Sequence, residues 1–319
     1  MKIASRPLLA TVFYLLLPAC ADTRPQTDAF DFNHVEGALR YYAHPGQENL
    51  EAIASTDAAR HLERHSRMTG AADATALDIT KKLVLTDSPP APALLTETEA
   101  LLRYAKESPD KQAACLEEAA RYLPMESGWR APLYATWGYD IGVATELGGS
   151  LNFTHEHFRK TPSEIWYYCT HEAHHVGVMQ LHSFPDFGDV KTVGALIDAI
   201  EYLTFLEGTA VFAAYDMRAK EGALDDDEDY VALKDPERMQ AISSRYEELM
   251  AALHARAPTD ALADEDWAML GEFSGGERLW YRHGAAMAQK IYAAQGLSGF
   301  RTVISQGPKA FFSAAESSE

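Results

Sequence analysis

Two histidines and a glutamate in one short segment have the types and spacing that bind and use a divalent metal. The segment reads His171-Glu172-Ala173-His174-His175, the pattern HExxH. Residues four apart on a helix lie about 40° apart around its axis, so His171 and His175 would project from one face and could bind one ion. Glu172 would be turned about 100° away, where it can reach a water molecule beside that ion. The segment therefore predicts a metal centre that activates water.

A catalytic zinc ion usually has three protein ligands and one open position, so a third ligand must come from elsewhere. The continuation HExxHxxGxxH is absent, since Val178 and Leu181 stand where it needs Gly and His. The next helix offers Glu207 inside its apolar stripe, where a carboxylate without a partner would be costly. We expect Glu207 to be the third ligand, with Glu201 and His182 as alternatives.

Hydrolysis also needs a group that stabilises the oxyanion of the tetrahedral intermediate. Such a group is usually a Tyr, His or Arg side chain, and one late helical segment supplies these types. Tyr281 is the first candidate and His283 is the second. His155 and His157 follow a predicted hairpin, and we expect a solvated strand end there rather than a metal site. His174 lies off the ligand face, so we expect it at the helix surface or in contact with a ligand.

The HExxH segment needs a rigid helix, and the sequence supplies a start and an end for one. Residues 161–164, reading Thr-Pro-Ser-Glu, predict a capping box, and Pro185 would end the helix after about residue 182. A second long helix is predicted at about residues 191–220, with Gly222 as its cap. Gly208 beside Glu207 would let these two helices approach each other closely.

Residues 141–154 change to β character, with strands at 141–147 and 150–154 joined by a Gly148-Gly149 turn. The rest of the chain is mostly helical, including segments at about residues 235–255 and 276–294. The predicted fold class is therefore α+β and predominantly helical, with a small β-sheet or hairpin beside the HExxH helix.

The first 19 residues have the layout of a signal peptide. An apolar run at residues 8–17 is too short to span a bilayer, which takes roughly 20 residues, and small residues follow it. Two cleavage sites compete: one resembles a lipobox, with Cys20 lipidated, and the other is an ordinary site before Asp22. We favour a lipid anchor at Cys20 in the bacterial cell envelope or periplasm, with residues 20–30 as a tether. The alternative is a soluble periplasmic or secreted protein.

The composition excludes several partners. The chain has 28 Lys and Arg against 47 Asp and Glu, a formal charge of −19, which argues against nucleic acid and against docking on anionic lipid. We expect a helical region at residues 31–127 and a catalytic region at 128–319, in one compact unit. Export would place Cys115 and Cys169 in an oxidising compartment, where they either pair or remain separate buried thiols.

The HExxH segment, followed by Glu-Gly-Thr-Ala at 207–210, resembles the gluzincin metallopeptidases, and especially the predicted bacterial zinc-dependent peptidase families that read HExxH…EGxA. The resemblance is clearest over residues 139–217. It implies one zinc ion bound by the two HExxH histidines and Glu207, with Glu172 as general base and the hairpin beside the substrate cleft. Val211 stands where thermolysin-type enzymes have an acidic residue, so the groups that orient the histidines are unassigned.

The function expected is hydrolysis of peptide bonds by a zinc metallopeptidase, with a peptide or protein as substrate and the membrane contacted only through the lipid anchor. One alternative is a zinc hydrolase of a non-peptide amide or ester. Another is a non-catalytic helical lipoprotein with a structural metal site, in which His182 would supply the fourth ligand. The sequence does not determine the oligomeric state or the position of cleavage in a peptide.

Overall fold

The computed structural model of the protein describes residues 30–125, 129 and 131–318. The expected signal peptide, its cleavage site and the lipidated Cys20 lie outside the described residues. Among those that are described, no helix is both long and apolar enough to cross a membrane.

Six helices form the first part of the fold. Two of them, α5 and α6, begin with proline, which lacks the N–H that a first helical turn leaves unpaired. The side chains of Thr56 and Thr75 cap α3 and α4 by accepting from backbone N–H groups. The bounds are α1 Asn33–Ala43, α2 Gln47–Ala54, α3 Asp57–Met68, α4 Ala76–Val84, α5 Pro92–Lys106 and α6 Pro109–Arg121.

Three short strands follow these helices along the chain and form a small sheet. Its strands are β1 (Leu133–Thr136), β2 (Gly142–Thr145) and β3 (Gly148–Asn152), in the order β1-β3-β2. The strand β3 pairs parallel with β1 and antiparallel with β2. The strand β2 therefore forms one edge of the sheet.

The predicted hairpin exists, but its turn was assigned to the wrong residues. Glu146 and Leu147 form the turn, whereas Gly148 and Gly149 lie inside β3. A Cβ on Gly148 would lie 2.8 Å from the carbonyl oxygen of Pro132, so the neighbouring chain leaves no room for a side chain. The glycines mark close packing around β3 rather than a change of chain direction.

Eight helices follow, and with them the predominantly helical α+β class is confirmed. Their bounds are α7 Glu156–Lys160, α8 Glu164–Leu181, α9 Val193–Glu221, α10 Glu228–Leu233, α11 Pro236–His254, α12 Asp264–Ser274, α13 Leu279–Gln306 and α14 Pro308–Glu316. The two long helices predicted around the HExxH segment and after it correspond to α8 and α9, and Gly222 caps α9 with a positive φ of 75°.

The capping box predicted for α8 does not form. Ser163 precedes the helix but makes no capping hydrogen bond with its side chain. The carboxylate of Glu164 instead accepts two hydrogen bonds from the buried guanidinium of Arg218, at 2.9 and 2.6 Å. The carboxylate of Glu164, which the capping box would have used, is therefore bound to Arg218 in an ion pair.

A disulfide joins the two parts of the fold beside the HExxH segment. Cys115 in α6 and Cys169 in α8 are bonded, with their Cα atoms 5.9 Å apart. The two cysteines are 54 residues apart in sequence, so by loop entropy alone the bond would stabilise the fold by about 4 kcal/mol. It fixes α8 to α6 two residues before His171.

The helices α9 and α13 cross with their backbones in contact. A Cβ on Gly208 would lie 2.3 Å from the carbonyl carbon of Gly284, and one on Gly284 would lie 2.3 Å from the carbonyl oxygen of Thr204. We expected Gly208 to bring α9 close to the HExxH helix, but it faces α13 instead. The crossing fixes α9 directly beside Glu207.

Candidate active site

The HExxH histidines project from one face of α8, as their spacing predicts. The ring centroids of His171 and His175 lie 4.4 Å apart, with the rings nearly perpendicular. Glu207 on α9 reaches both rings. Its Oε2 lies 3.3 Å from Nε2 of His171 and 3.0 Å from Nε2 of His175. The structure therefore brings together the three residues expected to bind metal.

The alternative third ligands lie elsewhere. Nε2 of His182 lies 2.7 Å from the carbonyl oxygen of Ile304, so that histidine is held against α13. Glu201 lines a separate surface cavity together with Asp198 and Tyr202. Neither residue lines the cavity that contains Glu207, and a structural site closed by His182 has no support.

The donor set fits a tetrahedral zinc ion. Two atoms that each lie about 2.0–2.1 Å from such an ion are about 3.3–3.4 Å apart. The two distances from Glu207 to the histidines are close to this value, and all three donor atoms lie within 4.8 Å of one another. Small side-chain movements would therefore let all three contact a single ion.

Burial and mutual charge prepare these groups for a cation. Burial, and then the neighbouring His175, lower the pKa of His171 to about 4, so this ring is neutral near pH 7, the form that binds metal. Burial alone would raise the pKa of Glu207, but the facing His175 and His171 hold it well below its usual range. A largely buried carboxylate, whose side chain is 16% exposed, is thus kept ionised by the groups with which it would share a metal.

Glu172 lies under the sheet rather than beside the two rings. A Cβ on Gly142 would lie 2.4 Å from Oε1 of Glu172, and one on Gly149 would lie 3.0 Å from its Cβ. Burial raises the pKa of Glu172 to about 8. Its Oε2 is buried and has no hydrogen-bond partner among the described residues. Such a carboxylate has a free acceptor atom and an increased affinity for a proton.

One cavity of about 360 Å³ contains all four side chains and is bordered by the edge strand. Residues 140–144 form that border. Asn152 donates its N–H to the carbonyl of Ile141, so these two residues form a hydrogen-bonded pair. Hydrogen-bonded and non-hydrogen-bonded pairs alternate along an antiparallel ladder, and Gly142 and Ala144 therefore belong to non-hydrogen-bonded pairs. Their own N–H and C=O groups point away from β3. Those groups lie at the free edge, where an extended chain could pair with them.

The two candidates for oxyanion stabilisation separate in the structure. Tyr281 lines the cavity, and burial together with Glu207 raises the pKa of its hydroxyl, which therefore remains a donor. His283 does not line the cavity. Its Nδ1 lies 3.0 Å from Oγ of Ser243, and its ring stacks on Tyr246 at a centroid distance of 4.2 Å. Tyr281 is therefore the candidate that lies within the cavity, whereas His283 packs against α11 outside it.

His155 and His157 lie at the start of α7 and contact other residues of the protein. Nδ1 of His155 accepts from the N–H of His157 at the start of α7, and Nε2 of His157 lies 3.0 Å from Oε2 of Glu164. Glu164 and Asp227 lie near enough to His157 to suggest a second metal group. The guanidinium of Arg218 already contacts both carboxylates, so a cation is present there.

His174 is fully buried, so the helix surface expected as one alternative was wrong, and contact with a metal ligand stays a prediction. Both of its ring nitrogens lack a hydrogen-bond partner in the described part of the chain. Burial lowers its pKa well below the usual value, so the ring is neutral. His174 therefore faces the protein interior.

Sequence reasoning missed several residues that line the cavity. These include Tyr168, whose ring centroid lies 6.4 Å from that of His171, and Arg278, whose guanidinium carbon lies 3.6 Å from the ring centroid of Tyr281. Tyr168 stands one helical turn before His171, and that spacing could have identified it. No local signal distinguishes Arg278 from the other surface arginines.

The chain was compared with known proteins. A family described as "Putative zinc dependent peptidase (DUF5700)" matches residues 94–314, which include α8, α9 and α13. No curated protein and no solved structure matches the chain.

Proposed function

Because the chain belongs to the DUF5700 family, whose description is that of a zinc-dependent peptidase, we propose that it hydrolyses peptide bonds at the cavity between α8, α9 and β2. The observation that carries this proposal is the convergence of Glu207 on both HExxH histidines, with Glu172 in the same cavity. The fold around the site would then be of the zincin type.

His171, His175 and Glu207 would hold the zinc ion. When bound, zinc acts as a Lewis acid and makes water a stronger nucleophile near neutral pH. Glu172 removes a proton from the attacking water and then returns it to the departing amine nitrogen. The hydroxyl of Tyr281 donates a hydrogen bond to the carbonyl oxygen of the scissile bond as negative charge develops there.

The edge strand favours a peptide over a non-peptide amide or ester. The peptide groups of Gly142 and Ala144 offer an N–H and a C=O that pair with the backbone of an extended chain. A small amide could use the same four catalytic and ligand residues, but it would leave this edge without a partner. The strand therefore supports a substrate of several residues.

Replacement of Glu172 tests the proposal. The variant Glu172→Gln should retain about one zinc ion per chain but hydrolyse a mixture of unstructured peptides at least about 10³-fold more slowly, since an amide cannot accept the proton. Glu201→Gln is the matched control, because that carboxylate lies on α9 outside the cavity. Undiminished hydrolysis by Glu172→Gln, or a wild-type protein that binds no zinc, would contradict the proposal.

We further propose that the protein is exported and anchored to the bacterial cell envelope through a lipid on Cys20. The layout of residues 1–19 supports this proposal, and so does the disulfide between Cys115 and Cys169, which is typical of an oxidising compartment. Mass spectrometry of the mature N-terminus provides the test. A lipidated Cys20 is the expected result, and an unmodified terminus at Asp22 would favour a soluble exported protein.

A further inference from the structure

Arg278 occupies a backbone conformation that is rare for its residue type. It has φ 49° and ψ 56°, in the left-handed region, directly before α13. Within the described residues, Tyr139 is the other non-glycine residue with positive φ, and it precedes the edge strand. Such a conformation costs about 1 kcal/mol or more in a residue other than glycine, and it persists where the surroundings hold it for a purpose.

The surroundings of Arg278 fix the direction of its side chain. Its Nε lies 3.1 Å from both carboxylate oxygens of Asp229. Asp229 is buried and is also held by Arg282, whose Nε lies 2.9 Å from Oδ1. The guanidinium lies over the ring of Tyr281, with 3.6 Å between its carbon and the ring centroid. Three contacts therefore hold the group in one plane.

The two terminal nitrogens of Arg278 remain available for a ligand. They have no hydrogen-bond partner among the described residues, and the side chain is 40% exposed. Arg278 lines the same cavity as the HExxH histidines. Arg218 also borders this cavity, but its side chain is only 2% exposed and is bound to Glu164. A guanidinium with a free edge forms two parallel hydrogen bonds with a carboxylate.

The direction of β2 indicates which part of a substrate would reach Arg278. The start of β2 lies at Glu172, whereas its far end lies near Gln180, which donates to the carbonyl of Glu146. The strand β2 and α8 therefore run in the same direction. A peptide paired antiparallel with β2, the more stable arrangement, would direct its C-terminal part towards the first half of α8. Arg278 lines the cavity together with Tyr168, which lies in that half.

We propose that Arg278 binds a carboxylate of the substrate on the C-terminal side of the cleaved bond, and that it thereby sets specificity. This inference rests on the proposed function. The carboxylate is either the free C-terminus of the peptide or the side chain of an Asp or Glu residue. In the first case the protein releases short C-terminal fragments; in the second it cleaves before acidic residues.

Pairs of matched peptides distinguish these sources. One pair ends in a free acid or an amide, and a second pair carries Glu or Gln after the cleaved bond. We expect the wild-type protein to prefer one acidic member by about 10- to 100-fold in kcat/KM, as is typical of a charge-assisted pair. In Arg278→Gln the ratio should fall to about one, and Arg278→Lys should give an intermediate ratio. Arg245→Gln, which changes a partly exposed arginine that does not line the cavity, should leave the ratio unchanged.

A binding measurement separates specificity from catalysis. Calorimetry with Glu172→Gln should show the preferred acidic peptide binding about 10-fold more tightly than its neutral partner. The same comparison in Glu172→Gln/Arg278→Gln should show equal affinities. Equal hydrolysis of all four peptides by the wild-type protein, or an unchanged ratio in Arg278→Gln, would overturn the inference and leave the peptidase proposal intact. Hydrolysis of none of them would instead refute the proposed function.

Discussion

Gly142→Ala should lower activity about 100-fold while leaving the fold and the proposed metal site in place. A Cβ at this position would lie 2.4 Å from Oε1 of Glu172 and 2.9 Å from its Cδ. Ordinary contacts begin at 3.4 Å, so the carboxylate has to move by about 1 Å, the difference between 3.4 and 2.4. A displacement of 1 Å at a reacting group costs about 10²-fold in rate. We therefore expect kcat/KM to fall about 100-fold.

The same geometry predicts a small effect on stability. The nearest atoms to the added Cβ all belong to the side chain of Glu172, whose end can rotate. The backbone of Gly142 does not have a positive φ, so alanine can adopt its conformation. The free energy of unfolding should therefore change by less than about 1 kcal/mol.

Three measurements on each variant test this reasoning: kcat/KM for a peptide, zinc content and the unfolding midpoint in denaturant. Gly271→Ala is the matched control, because a Cβ there meets no atom within 4 Å. The double variant Gly142→Ala/Glu172→Gln should have the same kcat/KM as Glu172→Gln alone, since both changes disable the carboxylate of Glu172. If Gly142→Ala retained activity within about threefold, or lost it only by losing zinc, Glu172 would not act as the base from its observed position.

Two further predictions concern stability. Gly284→Ala should destabilise the fold by about 3 kcal/mol, because the added Cβ would lie 2.3 Å from the backbone oxygen of Thr204, which cannot rotate away. A denaturant unfolding midpoint equal to that of the wild type would contradict the close crossing of the two helices. Burial lowers the pKa of His61 to about 3, so the unfolded state binds a proton below about pH 6.5 that the native state does not, and stability rises with pH in this range. From pH 7 to pH 5 this single residue should lower the free energy of unfolding by about 2 kcal/mol. Over the same pH range His61→Asn should therefore lose about 2 kcal/mol less than the wild type, and equal losses in the two proteins would refute the assignment.

Short-range patterns allowed the sequence to predict the two long helices and the candidate metal ligands that they carry. The positions of His171 and His175 follow from the helical repeat alone, because four residues return the chain to the same face. Glu207 could be selected from sequence because it interrupts an apolar stripe, where an unpaired charge is unfavourable. The termination of α9 at Gly222 was also a local signal.

Other features gave signals with two meanings. Gly148-Gly149 is typical of a turn, but the same residues also permit close approach, and only the position of Leu133 and Glu172 against β3 shows which applies. Tyr281 and His283 are two residues apart on one helix, about 200° around its axis, so they could not both face the cavity. The packing of α13 against α9 decided that Tyr281 faces it.

The amino-acid sequence by itself determined which side chains have the types and spacing to bind a metal ion and activate water. Residue type and helical spacing are properties of the chain over a few residues. Tertiary structure decided which of these side chains meet. Glu207 reaches His175 across 32 residues of sequence because the glycine crossing fixes α9 and the disulfide fixes α8. The strained conformation of Arg278 has the same origin, since its side chain is held by Asp229, which lies 49 residues away in sequence.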